Sequence, residues 1–158
     1  MYVLYNPVHV WNRWLTEYVT NKERANLEEI WETWEIENTM TSKYYVESIT
    51  DSIKGFRILL SDAKVESKKL VVLFEDSVHS YRSSDESYRL NTINNLDERY
   101  GTEFYRDNTF FKVTNSEYIK WISLESYGIV ESALIFHFSF IAADSIVDVI
   151  AAYEPKLF

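Results

Sequence analysis

A chain of 158 residues suits one ordinary domain with a sizeable core, and its 46% hydrophobic and 26% charged residues are a globular balance. Its 25 Asp and Glu against 16 Lys and Arg leave a net charge of −9. That balance argues against nucleic acid and anionic membrane surfaces, whose phosphates are held by cations. With only 3 Gly, no Gly-x-Gly pair and no Cys, glycine-rich phosphate loops, disulfides, zinc–thiolate sites and thiol nucleophiles are excluded together.

In chain order, Met1 to Pro7 lacks a basic segment followed by an apolar core, so a cytoplasmic location is the default expectation. Asn6-Pro7 predicts a helix start, with Asn as cap and Pro at the first helical position. Trp11, Trp14, Leu15 and Tyr18 then form one apolar stripe. After a break at Thr20-Asn21-Lys22, the same spacing in Leu27, Ile30, Trp31 and Trp34 predicts a second helix reaching about Glu37. From Lys43 the chain turns to β, with strands expected at Tyr44–Ile49, Phe56–Leu60 and Leu70–Phe74. The last two should form a hairpin across the polar loop from Ser61 to Lys68. Ser83-Ser84-Asp85-Glu86 has the form of a capping box. It predicts a helix through Leu90, Ile93, Leu96 and Tyr100 that stops at Gly101. Phe110–Val113 reads as a strand, and Asn115 or Ser116 as the cap of a helix through Tyr118, Ile119, Ile122 and Tyr127, closed by Gly128.

Ser132 to Ala143 is almost continuously apolar and aromatic, as a strand covered on both faces should be. Ser145–Ala151 is either its hairpin partner or a capped helix. The β-branched residues favour the strand. The expected architecture is therefore α+β, a single domain over 1–158. It has a mainly antiparallel sheet of about five strands with 133–143 as central strand, covered by an N-terminal helical pair and two further helices.

Chemistry is sparse. His9, His79 and His137 lack the i+4 partner of a helical metal site, and no metal or cofactor is implied. His137, in the apolar run, reads as a satisfied core histidine. Asp76, Ser77, His79 and Ser80 lie close in sequence, but strand neighbours alternate faces and no Gly-x-Ser-x-Gly elbow is present. The concentrated feature is acidic. On the predicted second helix, Glu28, Glu29, Glu32 and Glu35 fall opposite the apolar stripe with no Lys or Arg at i+4 to balance them. Tyr81 and Arg82, residue types common in binding hot spots, mark a second candidate surface.

The expectation is a non-catalytic protein-interaction domain with a basic partner. In composition alone the chain is similar to bacterial immunity proteins, which neutralise basic nuclease toxins. By that likeness the four glutamates stand in for nucleic-acid phosphates. The alternative is a small-molecule-binding domain or hydrolase with an aromatic-lined pocket and an acid such as Glu75 or Asp148. A third reading is a subunit whose apolar strands complete a homo-oligomer.

Overall fold

In a computed structural model, the structure describes residues 28–36, 43–130 and 134–158. Two antiparallel sheets and two α-helices make an α+β fold. The first sheet has five strands in the order β1-β6-β7-β8-β5, namely β1 (Ile30–Thr33), β6 (Phe110–Thr114), β7 (Phe136–Ile141), β8 (Ser145–Ala151) and β5 (Ser80–Asp85). The second has the order β2-β3-β4-β9, from β2 (Tyr44–Ser52), β3 (Gly55–Asp62), β4 (Lys69–Phe74) and β9 (Lys156–Leu157). Helices α1 (Leu90–Tyr100) and α2 (Glu117–Glu125) complete it. Among the described residues, no helix is long and apolar enough to cross a membrane.

Alternation along β7 and β8 explains the layering. Phe138, Phe140, Val147 and Val149 point to one face and pack against Tyr44, Phe56, Ile58, Leu60, Val72 and Phe74 of the second sheet. Each of these fully buried large side chains contributes about 1.5–3 kcal/mol. Ile141, Ile146 and Ile150 point to the other face, where Ile93 and Leu96 of α1 and Tyr118 and Ile119 of α2 cover them. His137, Ser139 and Asp148 share that helix-covered face, and their polarity decides what sits beneath the helices.

Several expectations need correction. Of the N-terminal helical pair, the first member lies outside the described residues. The span of the second contains β1 instead, paired with β6 from Ile30↔Thr114 to Thr33↔Phe111. Trp31 joins the helix-side core and Trp34 the core between the sheets. Residues three apart on a helix share a face, so a single helical stripe is impossible here. Ile, Trp and Thr suit a pleated strand, and pairing with β6 wins over the local spacing. In place of one sheet built on 133–143, there are two sheets, and Phe136–Ile141 is the third strand of the first. The described residues hold two α-helices rather than four.

Ser83 lies within β5, whose pairing with β8 outcompetes the capping box. Asp85 instead caps a short 3-10 turn, Glu86–Tyr88, by accepting the Ser87 N–H. The strands near 44–49, 56–60, 70–74 and 110–113 are present, as is the β3–β4 hairpin, and Ser145–Ala151 is a strand. Ser116 caps α2 by accepting the Ile119 N–H, and Gly101 closes α1. At the other end of α2 the Gly128 N–H reaches Ser123 O, but the residue at the left-handed closing position is Tyr127, φ 51°.

Candidate functional site

Asp148 lies mid-strand in β8 and is fully buried. An ionised carboxylate there costs several kcal/mol unless it is paired. Its neighbours in the sheet supply the pairing, because Ser139 of β7 and Arg82 of β5 stand directly across from it. Ser139 Oγ donates to Oδ1 at 2.6 Å and Arg82 Nε to Oδ2 at 2.6 Å. Arg89, at the start of α1, adds Nη1 to the same Oδ2 at 2.9 Å. His137 Nε2 lies 3.0 Å from Oδ1, at ion-pair distance but outside hydrogen-bond geometry. Burial by itself would raise the Asp148 pKa. The His137 ring and the two guanidiniums outweigh burial and hold the carboxyl well below the usual carboxylate range.

The cluster continues through His137. Its Nδ1 is 2.8 Å from Ser116 Oγ, the atom that also accepts the Ile119 N–H at 3.1 Å. Ser116 Oγ thus joins the cap of α2 to the histidine ring, and Nε2 is the ring atom that faces Asp148. Tyr118 closes the side of the cluster, its hydroxyl 2.6 Å from Ser80 Oγ and its ring 4.2 Å from the Arg82 guanidinium.

Ser116, His137 and Asp148 thus touch in the sequence of a nucleophilic triad. None is more than 3% exposed, and the serine is committed to the helix cap. A carbonyl substrate has no approach to this Oγ, so the arrangement fastens β5, β7 and β8 to both helices rather than performing acyl transfer. Glu75 is exposed and paired with Lys156 at 2.7 Å. Among the described residues, no group of three His, Cys, Asp or Glu is placed to hold a metal ion.

The four glutamates do not form a helix face. Glu28 pairs with Arg99 of α1 at 3.3 Å. The Glu29 carboxylate accepts the Glu117 N–H at 2.7 Å, adding an anionic cap to α2. Glu32 on β1 and Glu35 just after it are exposed, with no ion-pair partner among the described residues. Tyr81 and Arg82 occupy opposite faces of β5. The tyrosine ring packs 4.6 Å from Phe56, and the arginine turns under the helices to Asp148.

A surface feature that sequence reasoning passed over runs along α2 and the loop after it. Trp121, Leu124, Tyr127, Ile129 and Leu134 are exposed, Tyr127 at 98% and Ile129 at 86%. The signal was available: Leu124 is an apolar position off the stripe of Tyr118, Ile119 and Ile122 and so belongs to the face turned away from the core, with Trp121 at its border, stacked on Tyr118. The chain matches no family model, no curated protein and no solved structure.

Proposed function

We propose that the chain is a non-catalytic protein-interaction domain that binds a basic protein partner. An inhibitor of a cationic enzyme such as a nuclease, as immunity proteins are, is the form that fits its charge. The observation that carries this reading is the segregation of unpaired charge. On the first sheet and its helices, Arg99, Lys112 and Lys120 are each held by a carboxylate. Glu32, Glu35, Glu98 and Glu125 stand exposed there with no ion-pair partner among the described residues. Among the described residues, the exposed cations without such a partner are Lys54, Arg57, Lys64 and Lys68, all of the second sheet and its turns. Among the described residues, the first sheet and its helices therefore carry the uncompensated negative charge, which steers and holds a cationic surface. The burial of the Asp148 cluster points away from catalysis, since none of Ser116, His137 and Asp148 is more than 3% exposed.

The test is a pull-down at graded salt from the cells that make the protein, using wild type and a variant with Glu32, Glu35, Glu98 and Glu125 changed to Gln. The expected result is a basic protein held at about 50 mM salt, released by about 500 mM, and weakly held by the variant. No basic protein at any salt would overturn the reading. So would recovery indifferent to both salt and substitution.

A further inference from the structure

We infer that the outward face of α2 and the turn after it, formed by Trp121, Leu124, Tyr127 and Ile129 and rimmed by Glu125, is a docking surface for a cationic amphipathic segment of another protein. The inference rests on the interaction reading above and assigns a site to it. Folding alone does not account for this surface. Leu124 lies opposite the core-facing Tyr118, Ile119 and Ile122, and Trp121 stands at the border of that face, stacked on the Tyr118 ring yet 49% exposed. Soluble proteins rarely gather large apolar side chains on one exposed tract unless it meets something.

Two local conflicts mark the same end of the helix. Tyr127 holds φ 51° with its side chain fully in solvent, where a glycine would close the helix without strain. Such strain, when its side chain adds nothing to the core, points to a contact outside the fold. Glu125 occupies the last helical position, with no basic residue in that turn. Its charge adds to the negative end of the helix dipole instead of balancing it. Lys120, the nearby cation on α2, is drawn to Glu117 at 2.6 Å. The tract is therefore apolar and aromatic at its centre and negative at its rim. Its complement is a segment with an apolar face and flanking Lys or Arg, laid along the helix in the manner of a helix-in-groove contact.

Three short synthetic peptides test this: an amphipathic Leu/Lys helix, a Leu/Glu helix of the same pattern, and a polar Lys/Ser peptide. Binding is measured by calorimetry and by amide chemical shifts. The Leu/Lys peptide is expected to bind, shifting amides of residues 117–130. Trp121→Ser with Tyr127→Ser should weaken it at least tenfold, and Glu125→Lys severalfold, both with unchanged far-ultraviolet circular dichroism. Equal binding of the Leu/Glu peptide overturns the inference, as does undiminished Leu/Lys binding by the double variant. Self-association of the wild type that the double variant abolishes also overturns it, because a second copy would then cover the tract. The pull-down separates the two proposals. A basic partner captured equally by wild type and double variant removes this site and leaves the interaction reading standing. If wild type captures no basic partner, the interaction reading itself falls.

Discussion

Asp148→Asn is the substitution that best probes how this fold is held. The asparagine keeps the shape but removes the charge that two arginines, His137 and Ser139 converge on. Losing one member of a buried, hydrogen-bonded charge group destabilises by about 3–5 kcal/mol, chiefly through the charges left behind. The arginines should rank by burial. The Arg89 side chain is 14% exposed and that of Arg82 46%. Arg82 can turn to water, so its contribution is discounted by screening to about 1 kcal/mol or less. Arg89→Gln should therefore cost more than Arg82→Gln, and Asp148→Asn most of all. For a chain of this size each kcal/mol moves the melting temperature by roughly 2–4 °C, so Asp148→Asn should melt about 6–20 °C below wild type.

The pH dependence supplies an independent sign. The Asp148 pKa is held below its unfolded value of about 3.9. The stabilisation is therefore fully present above that value and is lost as pH falls toward the folded-state pKa. Urea unfolding of wild type and variant should show a gap that is constant near neutrality and shrinks below about pH 4. A gap under about 1 kcal/mol at pH 7, or Arg82→Gln costing more than Arg89→Gln, would refute the account of this cluster.

Three further outcomes follow from other positions. Tyr127→Gly should raise the urea midpoint, by about 1 kcal/mol of relieved left-handed strain, while weakening any partner held at α2. Gly55→Ala should lower the melting temperature sharply, by an amount reflecting about 2 kcal/mol or more. A Cβ there would stand 2.3 Å from the Phe74 carbonyl oxygen, on a backbone with φ +105°. Burial lowers the Lys43 amine to about 8 against the opposing pull of Glu86 and Asp107, and burial together with Asp97 pushes the Tyr105 hydroxyl up to about 12. Stability followed by denaturant titration should therefore rise from about pH 8 toward 10, as the unfolded lysine still binds its proton. Above pH 10 it should fall as the unfolded tyrosine ionises, and Lys43→Met should remove the rise alone.

The strands that announce themselves in the sequence are those whose neighbours in the sheet are also apolar. Leu70–Phe74 and Ser145–Ala151 are buried by their surroundings, and their β-branched residues leave few other choices. Ile30–Thr33 misleads because a spacing of three and four between aromatic residues is also what a strand and its exit produce when Trp31 and Trp34 go to different cores. The choice is made by β6, some 80 residues away in sequence. The glutamates illustrate the same limit. No cation stands at i+4 from Glu28, yet Arg99 reaches both its carboxylate and the Glu29 carbonyl from α1. The Asp148 cluster was legible residue by residue, since an acid in a β-branched run and a histidine in an aromatic one both require partners. That they partner each other depends on β7 and β8 running antiparallel, with Ser139 opposite Asp148.

The order β1-β6-β7-β8-β5 has a consequence for how the polypeptide is made. The two outermost strands of the first sheet are synthesised early, and the strands that separate them come late. As the chain leaves the ribosome, β2, β3 and β4 can zip into a meander at once, since each lies beside its sequence neighbour. β1 must wait for β6, and β5 for β8, with their backbone groups and the apolar faces around them uncovered meanwhile. Arg82 and Arg89 emerge well before the carboxylate that neutralises them, so the charge repulsion between them persists until β8 arrives. Completion of this sheet is thus a final event, and a chain that stops before residue 145 can pair β2 with β3 and β4, and β1 with β6 and β7, but leaves β5 without its neighbour.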